Sequence, residues 1–337
     1  MSNTNSGKTA TKPIIFISGR FRAGTSMLWN LFNRLPQYCA WYEPLHPNLL
    51  SHIQYVKPTV DHLSIDDYWL SYQQLQKLKR YYCASFGQHR LFLEKHEQWQ
   101  ELKNYINYLI KSSGDLTPVL QFNRMDLRLS WLKNTFPNAT IIHIKREPYP
   151  LWISARKHIK TNDDKLNESY PDGYDLMQWS VDLAHTFPML QNKNNRNSYF
   201  RHYFIWKLSQ KMATAHADIN LSLEDDFLYS LNGIFKLAKI FNWQQEATEI
   251  AESLVQKPQS LQLDLTKDNL YTDIELGINK IFQKTGLDQS FPSCPLNEIK
   301  LEYNKVWSQY PYHPETSIRE LLTAIKFQKD EITALVN

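Results

Sequence analysis

This 337-residue chain has few cysteines, few long apolar runs and few of the features of a leader peptide. Its three cysteines, Cys39, Cys83 and Cys294, lie far apart and form no C-x-x-C pair, so we expect free thiols rather than a disulfide framework or a zinc site. No apolar run approaches the roughly 20 residues that cross a bilayer. The N-terminal segment MSNTNSGKTATKP lacks the apolar centre of a signal peptide. These features predict a cytoplasmic protein without a transmembrane segment.

A strong excess of charge of one sign is also missing. The formal net charge is +4, and the chain is 42% hydrophobic and 13% aromatic, which is typical of a folded globular protein. A mild positive excess suits an anionic ligand but is too weak to indicate a nucleic-acid partner. We therefore expect a small-molecule ligand and no binding of nucleic acid.

A loop near the N-terminus resembles a phosphate-binding loop but lacks its lysine. Residues Gly19 to Ser26 in GRFRAGTS follow the spacing G-x-x-x-x-G-K-[ST], except that Thr25 stands at the lysine position. The amides and the dipole of the following helix would attract an anion. Thr25 and Ser26 can add hydroxyl donors, and Arg22 can supply the missing charge. The alternative is a plain glycine-containing turn with solvated arginines.

Alternation of strands and helices predicts an α/β fold. The expected architecture is a three-layer one, in which a parallel β-sheet is flanked by helices. Helices are predicted at 126–136, over much of 202–217, and at 227–241. Strands are predicted at five places: 14–18, 38–44, 118–122, 140–145 and 219–224.

The same pattern suggests one domain with additions. We predict a disordered tail over residues 1–12 and a single domain over 13–337. Within that domain, 45–115 is expected to be a largely helical insertion or lid, and 258–337 a C-terminal extension. Neither an internal repeat nor a metal-ligand motif is apparent.

Charged residues cluster at the predicted carboxyl ends of three strands, where open α/β sheets bind ligands. Phosphoryl-transfer enzymes place an Asp at such a strand end to hold Mg²⁺. Here cations follow the fourth strand, so we expect protein cations rather than a metal to neutralise the ligand. The three clusters are Arg20 with Arg22, Glu43 with His46, and Lys145 with Arg146.

Three segments resemble one enzyme family. The loop segment FISGRFRAGTSMLWNLF looks like the 5′-phosphosulfate loop of sulfotransferases that use 3′-phosphoadenosine-5′-phosphosulfate (PAPS). FPNATIIHIKREPYPLWISARKH is similar to the 3′-phosphate motif of that family, and NLSLEDDFLYSLNGIFKLAKIFNW to its later strand and Glu-Asp segment. The segments occur in the family's order and span about two thirds of the chain.

The resemblance implies a P-loop NTPase-like fold and the transfer of a sulfuryl group from PAPS to a hydroxyl or amine by in-line displacement. The product would be adenosine 3′,5′-bisphosphate (PAP), and no metal would be required. Arg22 would stabilise the leaving phosphate. Arg146 and Ser154 would hold the 3′-phosphate. The candidate donor-binding residues are Arg20, Arg22, Ala23, Gly24, Thr25, Ser26, Arg146 and Ser154.

The chain also departs from the family pattern. Ala23 replaces a frequent Ser, and Met27 stands where cytosolic members often carry a Trp that stacks on adenine. The Gly-rich C-terminal motif of those enzymes has no clear match. A bacterial or Golgi-like branch is therefore favoured, and the adenine contacts stay unassigned.

Two residues are candidates for the general base that the acceptor needs. Glu43 ends the second predicted strand, and several family branches place a catalytic Glu near this point. Its structural alternative is a salt bridge to Arg20 or Arg22. His46 is the second candidate, although a lone His before a Pro is often structural. His158 could reach the site or pack near phosphate.

Other residues near the strand ends have two interpretations each. Arg124 and Arg128 are spaced about one helical turn apart, so they could share a face and bind an anion, or be solvated. Tyr and Trp residues over 41–82 could form a core or a wall that stacks on an acceptor. Glu224 and Asp225 are expected to cap a helix or anchor a loop arginine.

Two other functions stay open on the sequence alone. A degenerate P-loop kinase or NTPase is one, and Thr25 in the lysine position argues against it. A non-catalytic nucleotide-binding protein is the other. The acceptor could be a small molecule or a glycan, and neither its identity nor the oligomeric state follows from the sequence.

Overall fold

The computed structural model describes residues 13–55, 65–156, 174, 176–190, 198–255, 267, 269–284 and 287. Within these ranges five strands form one sheet in the order β2-β3-β1-β4-β5, and every neighbouring pair is parallel. The strands are β1 (Ile14–Ser18), β2 (Tyr38–Tyr42), β3 (Thr117–Phe122), β4 (Ala139–Lys145) and β5 (Ile219–Ser222).

Helices precede, connect and follow the strands. Short 3₁₀ segments occur at Leu70–Gln74, Ala84–Gly87 and Pro188–Leu190. The α-helices in the described ranges are α1 (Thr25–Asn33), α2 (Leu49–Tyr55), α3 (Leu78–Tyr81), α4 (Gln100–Ser112), α5 (Leu129–Thr135), α6 (Pro148–Arg156), α7 (Leu176–Leu183), α8 (Ser198–His216), α9 (Asn232–Phe241), α10 (Gln245–Leu254) and α11 (Asn269–Lys284).

The middle strand β1 is apolar because neighbouring elements cover both of its faces. Ile15, Phe16 and Ile17 are buried in succession, with β3 on one side of the strand and β4 on the other. Such a continuous apolar run is typical of a parallel strand covered by helices on both faces. The predicted class, an α/β fold with a parallel sheet flanked by helices, is confirmed.

The hydrophobic core has two parts. The larger part joins the sheet to α1, α4, α5 and α9. The second part is built around α7, α8 and α11. Helix α8 is buried around most of its circumference, since twelve of its nineteen residues are inaccessible. It is therefore an internal helix rather than an amphipathic surface one.

All five predicted strands exist, and all of their ends agree within two residues. The fifth ends two residues early, at Ser222, because the chain turns there. The carboxylate of Asp226 accepts a hydrogen bond of 2.7 Å from the Ser222 amide, and the Asp225 amide donates to the Ser222 hydroxyl. A π-helical turn, Glu224–Leu228, follows and leads into α9.

Helix α5 begins at Leu129 rather than at 126, so the predicted shared helix face of Arg124 and Arg128 is wrong. Arg128 is fully buried and donates to the carbonyl oxygens of Phe86, His89 and Arg90, at 2.7, 2.5 and 2.8 Å. Burial lowers its pKa to about 10, which leaves it charged at neutral pH. Both interpretations of Arg128, an anion contact and a solvated charge, are therefore wrong. Its side chain links its own segment to the segment 86–90 through hydrogen bonds to backbone carbonyl oxygens.

The insertion predicted at 45–115 is less regular than expected where it is described. Helix α4 is long, but 65–99 contains only α3, two 3₁₀ segments and irregular chain. Individual aromatic side chains pack this irregular segment against the core: Tyr68, Trp69 and Tyr72 are each at most 3% exposed. The tail at 1–12 lies outside the described residues, as does most of 258–337, so the domain boundaries stay predictions.

Two buried histidines predict acid sensitivity. Burial lowers the pKa of His143 and of His202 to about 3 in the folded protein, against 6.5 in the unfolded chain. Below pH 6.5 the unfolded state binds more protons, so the free energy of unfolding falls as pH falls. We expect each histidine to contribute a loss of up to about 1.4 kcal/mol per pH unit between pH 6.5 and pH 3.

Urea denaturation between pH 5 and pH 8 measures this slope. The variant His202→Gln should reduce it, and the exposed residue His96 provides the control His96→Gln, which should leave it unchanged. A free energy of unfolding that stays constant from pH 5 to pH 7 would contradict the assignment of His143 and His202 as buried neutral histidines.

Candidate active site

A cleft of about 560 Å³ opens at the carboxyl ends of the strands. Neighbouring strands of a parallel sheet end at the same edge, so residues that follow different strands meet there. Each of β1, β2, β3 and β4 contributes a polar or charged side chain to its lining. These are Arg22 after β1, Glu43 and His46 after β2, Asn123 and Arg124 after β3, and Arg146 after β4.

The loop after β1 needs glycine at position 24 for two reasons. Gly24 has a φ of 100°, in the left-handed region that favours glycine. A Cβ there would also lie 2.9 Å from Leu223 Cδ1 and 3.1 Å from Ile144 Cδ1. Helix α1 starts at the next residue, and the first amides of a helix have no partner within it. Gly24, Thr25 and Ser26 all line the cleft.

Two loop hydroxyls already have partners. The Thr25 hydroxyl donates to Asn123 Oδ1 at 2.6 Å, and the Ser26 and Tyr42 hydroxyls lie 2.9 Å apart. Either hydroxyl of the Ser26–Tyr42 pair can be the donor, so Ser26 can turn its hydrogen toward an anion when Tyr42 donates to it. The Thr25 hydrogen is used within the protein.

Arg22, Arg146 and Ser154 form one cluster. Arg22 Nε donates to Ser154 Oγ at 3.1 Å, and the Arg146 guanidinium donates to the Arg22 carbonyl oxygen at 3.2 Å. The bond to Ser154 uses one of the five N–H groups that a guanidinium carries. Arg22 itself has a φ of 68°, so its backbone is held in a conformation that is costly for an arginine.

Arg146 is oriented from behind by an acidic residue. Its Nε lies 3.7 Å from Glu224 Oε1, and Trp206 Nε1 donates to its carbonyl oxygen at 2.9 Å. Burial lowers the pKa of Arg146, while Glu224 opposes that effect by stabilising the cation. The prediction that Glu224 anchors a loop arginine is confirmed.

Glu43 is a buried carboxylate with two donors. It is 9% exposed, it follows directly after β2, and it has a φ of 38°. Asn123 Nδ2 donates to its Oε1 at 2.5 Å, and Arg124 Nη1 pairs with its Oε2 at 3.0 Å. The structural alternative for Glu43, an ion pair with Arg20 or Arg22, is therefore wrong in its partner. Each carboxylate oxygen keeps a further lone pair that can accept a proton.

His46 lines the cleft but is a poor proton acceptor. Its Nδ1 accepts a hydrogen bond of 3.1 Å from the Asn48 amide, which places the ring proton on Nε2. Burial lowers the pKa of His46 to about 2, and the nearby cation Arg124 and the His52 ring add to this effect. Of the two candidate bases, the geometry favours Glu43. His158 lies outside the described residues.

Two predicted contacts lie away from the cleft. Arg20 pairs with the fully buried Asp126 at 3.5 Å and covers the Trp179 ring at 4.3 Å, because a buried carboxylate needs a neighbouring cation. Ala23 is completely buried. Neither residue is part of the cleft lining, so the structure does not bring these two candidates to the ligand.

Asn123 was missed by sequence reasoning. The available signal was its position directly after a predicted strand, next to Arg124, which the sequence did single out. The aromatic residues Tyr42, Tyr68 and Trp69 are buried and also line the cleft. They therefore belong to the core, and their stacking on an acceptor stays a prediction.

Within the described ranges, no group of three His, Cys, Asp or Glu residues could hold a metal ion. No helix in the same ranges has the length and apolar character needed to cross a bilayer.

A family model described as "Sulfotransferase family" matches residues 13–199, more than half of the chain. The chain belongs to the sulfotransferase family. The matched range contains the loop after β1, Glu43, Asn123, Arg124 and the end of β4. No curated protein sequence matches this one.

Two solved structures are similar to this sulfotransferase at low identity. One is the sulfotransferase domain of the olefin synthase of Synechococcus PCC 7002, at 13% identity over 89% of this chain and 95% of that one, with a TM-score of 0.33. The other is sulfotransferase STF9 from Mycobacterium avium, at 12% identity over 91% and 78%, with a TM-score of 0.36.

The loop geometry predicts that Gly24→Ala is much more costly than an ordinary glycine replacement. Gly114 is a matched control, because it has a φ of 58° and a Cβ there would meet nothing within 4 Å. We expect Gly114→Ala to cost about 1 kcal/mol for the left-handed backbone. Gly24→Ala should cost about 1–3 kcal/mol more, because the added methyl overpacks against Leu223. Urea denaturation of both variants checks this, and equal costs would contradict it.

Proposed function

We propose that this sulfotransferase uses PAPS as its donor and transfers the sulfuryl group to a hydroxyl or amine of a small molecule or glycan. The observation that carries the proposal is the convergence of Arg22 and Arg146 on one cleft that also contains Glu43. Two cations from the ends of β1 and β4 suit a donor with two separate phosphate groups.

The lining of the cleft fits such a donor. Arg22, Gly24 and Ser26, with the first amides of α1, would hold the 5′-phosphosulfate. Arg146 would hold the 3′-phosphate. Ser154 would lie near the same phosphate, where its hydroxyl also accepts a hydrogen bond from Arg22. Arg20 and Ala23 have no part in this assignment.

Arg22 is the proposed electrostatic catalyst. PAPS supplies an activated sulfuryl group whose departure leaves charge on a phosphate oxygen. A fixed guanidinium in a partly enclosed cleft stabilises that charge, and loss of one such donor typically costs about 10²–10³ in rate. Thr25 in the lysine position leaves this task to Arg22.

Glu43 is the proposed general base. Asn123 and Arg124 hold its carboxylate at the edge of the cleft, where a carboxylate can accept a proton from the acceptor. As the acceptor oxygen or nitrogen bonds to sulfur, its proton passes to Glu43 and the sulfur–oxygen bond to the phosphate breaks. The products are the sulfated acceptor and PAP, so no additional reactant is needed.

Binding of PAP and of 5′-AMP in EDTA tests the donor assignment. Wild type should bind PAP about 10–100-fold more tightly, because the 3′-phosphate adds charge-assisted hydrogen bonds. Arg146→Ala should remove this preference, whereas Arg22→Ala should weaken both ligands. Arg34, which is exposed, gives the control Arg34→Ala, with no expected change. Equal affinity of wild type for the two ligands, or binding that requires Mg²⁺, would count against PAPS.

Turnover of labelled PAPS tests the base. Glu43→Gln keeps the shape of the side chain and should lower kcat by about 10²–10⁴ while PAP affinity stays within a few-fold. His46→Gln should lower kcat far less, because the His46 ring is not a proton acceptor near neutral pH. A Glu43→Gln enzyme with unchanged kcat would remove Glu43 from the mechanism.

A further inference from the structure

Asn123 lies between the loop after β1 and Glu43. Strand β3 separates β2 from β1 in the sheet, so the residue that follows β3 has Glu43 on one side and the loop on the other. Asn123 is 5% exposed and contacts both neighbours, Glu43 at 2.5 Å and Thr25 at 2.6 Å. Gln121 Nε2 is a third partner, at 3.2 Å from Asn123 Oδ1.

The chemistry of the partners fixes the direction of each hydrogen bond. A carboxylate only accepts, so the amide of Asn123 must present its NH₂ group to Glu43. Its carbonyl oxygen then faces Thr25, whose hydroxyl must donate. A relay of two directed bonds therefore runs from Thr25 through Asn123 to Glu43.

This direction conflicts with the role that the sequence suggested for Thr25. A hydroxyl carries one hydrogen, and that of Thr25 is used on Asn123. The oxygens of a phosphosulfate are acceptors, so they cannot share the same hydrogen. Ser26, whose neighbour Tyr42 can donate to it, has no such conflict.

We propose that Asn123 is a positioning residue that holds the Glu43 carboxylate, and that the Thr25 hydroxyl orients Asn123 rather than binding the donor. The proposal rests on the function proposed above. Glu43 has a positive φ and its second donor is the single ion pair with Arg124. Without Asn123 the carboxylate can rotate about that ion pair and lose its aim at the acceptor.

Thr25→Val is the decisive variant, since valine has nearly the same shape and no hydroxyl. We expect PAP affinity to change less than about threefold, because the backbone amides still bind the phosphate, and kcat to fall about tenfold. Thr25→Ser, which restores the hydroxyl, should recover most of the loss. Ser26→Ala is the matched control and should weaken PAP binding instead.

A double-variant cycle separates the relay from two independent effects. Asn123→Ala should lower kcat about 10–100-fold, and adding Thr25→Val should lower it little further, because both changes break the same path. A Thr25→Val protein that binds PAP tenfold more weakly with unchanged kcat would overturn the proposal. Independent effects that multiply in the double variant would also overturn it.

Asn123→Asp gives a readout that a merely structural role would not move. Two carboxylates in contact share one proton, and a protonated Asp at 123 could still donate to Glu43 and accept from Thr25. Its kcat relative to wild type should therefore be higher at pH 5 than at pH 8. A ratio that is constant with pH would argue against positioning. In the part of the chain that the structure describes, the ionisable groups around Glu43 are Tyr42, His46, His52, Tyr72, Arg124 and Tyr174.

Failure of the proposed function would look different. Wild type that binds PAP but transfers sulfate to no acceptor would refute that function, while the relay is still measured without turnover. Carbon-13 NMR of the Glu43 carboxyl, assigned with Glu43→Gln, should show a changed chemical shift in Asn123→Ala, which loses a hydrogen-bond donor to the carboxylate, and a smaller change in Thr25→Val. An unchanged chemical shift in both variants would overturn the relay by itself.

Discussion

The arrangement of this site depends on how a buried carboxylate is given partners. Glu43 is nearly inaccessible, and burying a carboxylate is costly unless hydrogen bonds and a cation replace the water that it loses. Asn123 and Arg124 supply both, and both come from the end of the adjacent strand. The order of strands in the sheet is therefore a condition for the chemistry as well as for the fold.

The partners of the arginines near the strand ends differ. Arg20 is held below the loop by Asp126, and Arg128 is held among backbone carbonyl oxygens, so neither lines the cleft. Arg22, Arg124 and Arg146 line it. Arg124 is paired with Glu43 at 3.0 Å, whereas Arg22 contacts a serine hydroxyl at 3.1 Å and Arg146 lies 3.7 Å from Glu224, so Arg22 and Arg146 are the less compensated cations of the cleft.

The cleft also concentrates backbone strain. Arg22 and Glu43 have positive φ values without being glycine, which costs on the order of 1–3 kcal/mol each. Hydrogen bonds hold both in place: the Arg22 carbonyl accepts from Arg146, and the Glu43 amide donates to Gln121 Oε1. Strain held by surrounding contacts in this way fixes the direction of two functional side chains before any ligand arrives.

The strands, the glycine turn at Gly24 and the family could be predicted from local sequence patterns alone. Apolar runs, turn residues and motifs each involve residues that are close together in the sequence. The partners of charged groups were not predictable in this way. That Glu43 pairs with Arg124, that Arg20 turns to Asp126, and that Asn123 joins Thr25 to Glu43 are contacts between residues up to 106 positions apart. Only the packing of the sheet brings these groups within hydrogen-bonding distance. In the folded sheet, the free-energy cost of burying a charged side chain without a partner determines which of the nearby groups it pairs with.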